Sequence, residues 1–187
     1  APFYTAPMNP TQLFDPASST YTYVLSDAST REALIIDPVD EQLERDLATL
    51  ERLGLSLKWA VETHAHADHI TSAARLAELT GARTAAPAGC NVGTAARQLR
   101  DGDELRFGGE TLRVLHTPGH ASNHLCFLLE EDGLLFSCDH INNGSTVVID
   151  PPDGNMRDYL IALERLLKLP FDYILPAHGW VLGFAHD

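Results

Sequence analysis

Four residues able to bind a metal ion fall within six positions of this chain, in the segment Thr63-His64-Ala65-His66-Ala67-Asp68-His69. The run before it, Leu57 to Glu62, is apolar enough for a strand. The run after it, Thr71 to Thr80, has helical spacing and stops at Gly81. A strand therefore delivers the cluster and a helix leaves it, so the fold must place a loop between a strand end and a helix start. In an extended turn His64 and His66 point the same way, because side chains repeat every two residues. Asp68 and His69 sit where the helix begins and can face a second point. Any one of these side chains alone is most simply a surface polar group or a satisfied core donor; four at this spacing are most simply a metal site.

Three later positions supply what the cluster lacks. His120 follows the tight Thr117-Pro118-Gly119 turn, Asp139 lies just past the apolar run Leu134 to Cys138, and His178 follows the run Tyr173 to Ala177. Histidine and carboxylate donors without thiolate suit zinc, iron or manganese. A carboxylate can bridge two ions where an imidazole cannot, which makes Asp139 the bridging candidate. Such a site leaves coordination positions for water, whose pKa falls towards about 7 on a metal, and hydrolysis is the expected reaction.

The remaining pattern places this site at strand ends. Residues 1–12 carry three prolines and no period and are expected to form an irregular arm. Tyr21 to Leu25 and Ala33 to Ile36 make a hairpin. Val39, Leu43, Leu47, Leu50 and Leu53 then define an amphipathic helix stopped by Gly54. From Glu104 onward short strands separated by Gly and Pro pairs form a second sheet. A last helix over Met156 to Leu167 presents Leu160, Leu163, Leu166 and Leu167 on one face, and a strand over Tyr173 to Leu175 ends at the motif of His178. The expected architecture is α/β, two sheets packed face to face with helices outside.

Composition narrows the function. Over 187 residues, one domain spanning 1–187 is expected, and no apolar stretch is long enough for a membrane span. The net charge of −13, with only 13 scattered Lys and Arg, argues against nucleic acid and for a small-molecule substrate. Cys90, Cys126 and Cys138 have no metal-binding spacing, so no structural disulfide and a cytoplasmic location are expected. The N-terminus lacks the pattern of a secretion signal. A homo-oligomer is compatible with all of this.

The motif HxHxDH followed by a distant His, Asp and His resembles the metallo-β-lactamase superfamily, whose fold is an αβ/βα four-layer sandwich. That resemblance implies one ion on His64, His66 and His120, a second on Asp68, His69 and His178, and Asp139 touching both. It also gives Asp68 a catalytic role in orienting a hydroxide. The first half, with LFDPASSTYTYVLSD, REALIIDPV and THAHADHITSA, is similar to the persulfide dioxygenases, relatives of glyoxalase II. In those enzymes one iron is carried by the residues matching His64, His120 and Asp139 and oxidises glutathione persulfide. The second half lacks the Arg-Thr-Asp-Phe-type segment that the resemblance implies for persulfide binding. With TPGHASNH and ILPAHGWVLG, it is similar instead to a hydrolase-like branch bearing a winged-helix extension, as though the chain were a mosaic. It ends at Asp187, nine residues after His178, where both branches continue through further helices, so a shortened C-terminus is expected.

The leading expectation is a hydrolase with two Zn2+ ions acting on a small ester, thioester, lactone or lactam. The alternative is a persulfide dioxygenase with one Fe2+, and the non-enzymatic reading is a protein that holds metal structurally. His124 and His140 are expected to orient the ligands from behind. His116 and His186 are ordinary polar residues, and Cys138 packs rather than coordinates. Tyr159 and Tyr173 belong to core or rim, and Asn142, Asn143, Ser145 and Thr146 to a solvated loop.

Overall fold

The computed structural model describes residues 8–90 and 95–186. Strands β1 (Thr11–Asp15), β2 (Thr20–Ser26), β3 (Glu32–Ile36), β4 (Ser56–Val61), β5 (Arg83–Pro87) and β6 (Arg97–Leu99) form one six-stranded sheet in chain order. Strands β7 (Glu104–Phe107), β8 (Glu110–His116), β9 (Leu125–Leu129), β10 (Leu134–Cys138), β11 (Tyr173–Pro176) and β12 (Leu182–Gly183) form the second, ordered β12-β11-β10-β9-β8-β7. Helix α1 (Leu43–Leu53) links β3 to β4, α2 (Ala73–Thr80) links β4 to β5, and α3 (Met156–Leu166) links β10 to β11.

Alternation along the strands makes four layers of this. In β2 and β3, Tyr23, Leu25, Leu34 and Ile36 face the second sheet and pack on Phe107, Val114, Phe127 and Phe136. The intervening Val24, Ala33 and Ile35 face the other way, onto Leu43 and Leu50 of α1 and Leu76 of α2. On the far side Leu115, Leu128, Leu135 and Ile174 meet Leu166 of α3. Because both sheets are covered on both faces, their central strands are continuously buried, as in β9 and β10.

Three expectations are corrected. Thr11 and Gln12 are not in an irregular arm, because β1 pairs antiparallel with β2, Thr11 opposite Val24 and Gln12 opposite Tyr23. The rest of the arm, apart from residues 8–10, lies outside the described residues. The first helix begins at Leu43, since Val39 bridges Thr71 and Asp40–Gln42 form a tighter turn. In α3 the buried residues are Ala162 and Leu166, whereas Leu160 and Leu167 are exposed. Gly119 explains that face: a Cβ there would lie 2.5 Å from the Tyr159 Cα, so the helix docks through Tyr159 and the small Ala162.

Asp46, on the buried side of α1, makes an ion pair with Arg45 at 2.8 Å through one oxygen and leaves the other without a partner. Burial outweighs Arg45 and raises its pKa to about 6. A carboxylate raised in the folded state costs stability once ionised, so stability falls as pH rises from the unfolded value of 3.8 through about 6. Asp46→Asn is expected to raise stability at pH 8 by about 1–3 kcal/mol and to flatten the profile between those values. Urea melts at pH 4 and pH 8 measure it; an unchanged pH 8 midpoint would count against the raised pKa.

Candidate metal centre

Every motif residue sits just beyond a strand end on one edge of the sandwich. β4 leads to His64, the turn after β8 to His120, β10 to Asp139 and β11 to His178. The two sheets are joined at this edge by Tyr21 N–H donating to Ala177 O (2.8 Å), Leu125 N–H to Thr63 O (2.8 Å) and the Tyr23 hydroxyl to Pro176 O (2.5 Å). The loops that carry the candidate residues therefore spring from one cross-linked frame.

Asp37, at the end of β3, was not singled out from the sequence, yet it fixes the first loop. Its carboxylate accepts from Thr63 N (2.8 Å) and from the Thr63 hydroxyl (2.7 Å). A hydroxyl has one proton to give, so Thr63 Oγ1 accepts at its 2.9 Å contact with His64 Nδ1. His64 is thereby held with Nδ1 protonated and Nε2 free to bind, 3.3 Å from Asp139 Oδ2. Burial and the neighbouring His66 both keep this imidazole neutral by lowering its pKa. His120 is set the same way: Nδ1 donates to Val148 O at 2.6 Å and Nε2 lies 3.8 Å from Asp139 Oδ2. His178 Nδ1 donates to Ser19 O at 2.9 Å, and its Nε2 stands 3.1 Å from Asp139 Oδ1 without hydrogen-bond alignment.

Donor atoms of His64, His120 and Asp139 lie within 4.8 Å of one another. Atoms about 2.0–2.2 Å from one ion stand roughly 3.0–3.6 Å apart, which matches the His64 spacing and nearly that of His120. Burial opposes charge on Asp139, but His178 beside it outweighs burial and holds the carboxylate ionised far below the usual range. Two imidazoles and an ionised carboxylate, with Nε2 and Oδ2 converging, fit a single ion.

His66, Asp68 and His69 form a second group beside this one, the His66 ring 4.1 Å from that of His64. His66 Nε2 lies 3.0 Å from Asp37 Oδ1 and 3.2 Å from Glu62 Oε2, and these two buried carboxylates overcome burial to raise its pKa well above the usual value. Glu62 is in turn held by the Thr71 hydroxyl. Asp68 and His69 are bonded to each other (3.1 Å) and group with His66. Among the described residues, Asp68, His69 and His178 do not form a common donor group.

His124 and His140 are fully buried behind the centre, the His124 ring 5.1 Å from that of His64 and 5.5 Å from that of His140. Burial keeps both neutral, with His140 lowered to about 4. Tyr159 packs on His140 at 4.7 Å, whereas Tyr173 is exposed. His116 Nε2 donates to Ser122 O, and His186 packs on Phe171. In the loop after Asp139, Asn142 and Asn143 are half-buried and Ser145 and Thr146 exposed. Asn143 is tied to both His178 O and Trp180 O, and a side chain at Gly179 would strike Asn143 O at 1.9 Å.

All three cysteines are free and buried. Cys138 belongs to the core between the sheets, with its thiol pKa pushed well up by burial, and joins none of the donor groups. Cys138→Ala is therefore expected to leave the metal content per chain unchanged. Loss of the ion on elemental analysis would make the thiol a ligand.

The fold and the site together define the class: the chain belongs to the metallo-beta-lactamase superfamily, whose family model matches residues 15–89 and 93–178. It is similar to the persulfide dioxygenase ETHE1, mitochondrial, of Homo sapiens, 35% identical over 177 residues that cover 94% of this chain and 70% of that protein. That single alignment runs through both halves of the chain. The crystal structure of ETHE1 from Myxococcus xanthus superimposes with a TM-score of 0.88 at 38% identity, covering 95% of this chain and 80% of that one. TTHA1623, crystallised in a di-iron-bound form, gives a TM-score of 0.77 at 28% identity over 95% of this chain and 96% of its own.

Proposed function

We propose that this protein is an iron-dependent dioxygenase of organic persulfides. The observation that carries the proposal is the separate group of His64, His120 and Asp139, two imidazoles and one carboxylate, a donor set suited to non-haem ferrous iron with positions left open. Similarity to persulfide dioxygenases over nearly the whole chain supports the same reading. The expected pair of zinc ions and the hydrolytic reaction receive less support. A second ion shared through Asp139 needs Asp68, His69 and His178 around one point, and Asp68 and His69 group with His66 instead.

Ferrous iron on these residues would supply an open-shell centre through which a closed-shell sulfur compound can react with dioxygen. The chain's own residues do the rest. Asp37 and Thr63 keep His64 Nε2 unprotonated, and Val148 O accepts from His120 Nδ1 and so turns Nε2 to the centre. His178, whose pKa Asp139 raises to about 9, stands by the outer carboxylate oxygen and keeps that carboxylate turned to the centre. In balance, one persulfide, one dioxygen and one water give one thiol, one sulfite and two protons. The terminal sulfur loses the electrons that dioxygen gains: sulfur–oxygen bonds form, and the oxygen–oxygen and sulfur–sulfur bonds are broken.

Oxygen uptake by the iron-loaded protein on adding a persulfide tests this directly. Uptake matched by thiol and sulfite is expected. Absence of uptake together with cleavage of a thioester or lactone by the zinc form would replace the proposal with the hydrolase. As to compartment, free thiols suit any reducing one, and the human relative is named as mitochondrial, so the cytoplasmic expectation does not follow from the cysteines. None of the described helices is long and apolar enough to cross a membrane.

A further inference from the structure

Helix α3 buries one side and leaves the next one apolar and bare. At 3.6 residues per turn, Tyr159, Ala162 and Leu166 fall on the side that faces the body, while Met156, Leu160 and Leu167 fall within about 40° of one another on the adjoining face. They are 57%, 53% and 64% exposed, with half-buried Leu163 between them, and Leu167 at the C-cap still has helical backbone angles. The helix cannot roll to hide this face. Gly119 meets the Tyr159 backbone too closely to admit a Cβ, Asn155 N–H donates to Gly119 O (2.8 Å), and Arg165 ties the other end to His116 O (3.2 Å) and Asp101 (2.7 Å). Positions 156, 160, 163 and 167 are spaced four, three and four, which is the seam of two helices packed side by side.

Charge selects the partner. The ion pair of this helix runs from Arg165 to Asp101, and among the described residues Arg157 and Glu164 have none, although both are exposed along one flank of the seam. Laid antiparallel on a second copy, the seam sets Leu160 against the partner's Leu163 and Met156 against the partner's Leu167. The same register sets Arg157 against the partner's Glu164 and Glu164 against the partner's Arg157, so one flank is complementary to itself. A parallel pair would turn this flank to that of Tyr159 and Leu166, which already faces the body. Met156, Leu160, Leu167 and Ile161, the last 54% exposed at the outer edge of the charged flank, offer on the order of 400 Å² of apolar surface per copy, close to the roughly 450 Å² expected of a standard interface. From these observations we infer that the protein pairs with a second copy of itself through α3, antiparallel about a twofold axis near Ile161 and Ala162, with Arg157 of each copy bound to the partner's Glu164. The inference concerns association and stands apart from the reaction assigned to the metal centre.

Sedimentation equilibrium of the iron-loaded full chain over a range of concentrations tests it, and a dimer is expected. Leu160→Ala, at an exposed position, should weaken the dimer about tenfold or more, because the twofold axis removes the side chain twice. Arg157→Glu and Glu164→Arg should each weaken it about tenfold or more, since each turns two attractions into two repulsions. Mixing these two variants, or combining both substitutions in one chain, puts opposite charges back on every contact and should restore the dimer, a recovery that a merely misfolded variant cannot show. Iron per chain should stay the same throughout. A monomer at every concentration into the high micromolar range would overturn the inference. A dimer left unchanged by all three substitutions would place the contact elsewhere and overturn it too, as would folded, monomeric single variants that fail to pair when mixed.

Discussion

Asp139→Asn is expected to lose bound iron and to lower persulfide-dependent oxygen uptake by more than the roughly 10–100-fold that follows loss of an outer partner of a metal ligand. The reason is geometric and electrostatic. Asp139 Oδ2 is the only carboxylate oxygen facing both His64 and His120 among the described residues, at 3.3 and 3.8 Å. An amide keeps the volume but brings no negative charge to offset a divalent ion. It also offers an N–H towards nitrogens that are to bind metal. Iron per chain and oxygen uptake on the same preparation check the two consequences together. Stoichiometric iron at full turnover in the variant would remove Asp139 from the ligand set.

Asp37→Ala is expected to cost about 3–5 kcal/mol of stability, the range for removing one partner of a buried charged pair. Its carboxylate serves Thr63 N, Thr63 Oγ1 and His66 at once from a buried position. Without it the Thr63 amide loses its acceptor, His66 Nε2 is left with Glu62, and His64 loses the contact chain that selects its tautomer. In a domain of this size each kcal/mol moves the melting temperature by about 2–4 °C, so a loss of roughly 6–20 °C is expected. The pH dependence carries a sign for each partner. Burial works against charge on Asp37, but His66 and Thr63 lower its pKa, so its share is present above the unfolded value of 3.8 and disappears as pH falls below it. His66 is raised, so its share is full below its unfolded value of 6.5 and fades as pH climbs through the raised one. The wild type should therefore gain most over Asp37→Ala between those limits. A difference independent of pH from 3 to 9 would mean that the pair contributes through shape alone.

The sequence shows the site residues more clearly than the way they divide. The cluster around His64 and the distant His120, Asp139 and His178 could be picked out because each stands just after an apolar run, and the structure brings them to one edge. What the sequence leaves open is which donors share a point. Local spacing puts His64 and His66 on one side of an extended turn, whereas the buried carboxylates of Asp37 and Glu62 draw His66 away. Asp37 itself follows Ile35 and Ile36 and precedes a proline, which looks like ordinary turn chemistry; its role depends on pairing between β3 and β4, far apart in sequence.

The same distinction holds for the fold. β2, β3 and β4 announce themselves through β-branched and aromatic residues, but β5 is Arg-Thr-Ala-Ala-Pro and β6 only Arg-Gln-Leu, with little intrinsic signal. They are strands because each adds in parallel to the one before. Leucine spacing in α3 suggests a face that includes Leu160 and Leu167, and close approach at Gly119 selects Tyr159 and Ala162 instead. Periodicity finds a helix; the size of the neighbouring residue decides how it is turned.

Quantifying metal in the purified protein after equilibration with ferrous iron and zinc together tests the central claim most directly. One iron per chain, lost in Asp139→Asn and kept in Cys138→Ala, is the predicted result, with His64, His120 and Asp139 as its ligands. Two zinc ions per chain, both dependent on Asp139, would contradict it and return the protein to the hydrolases.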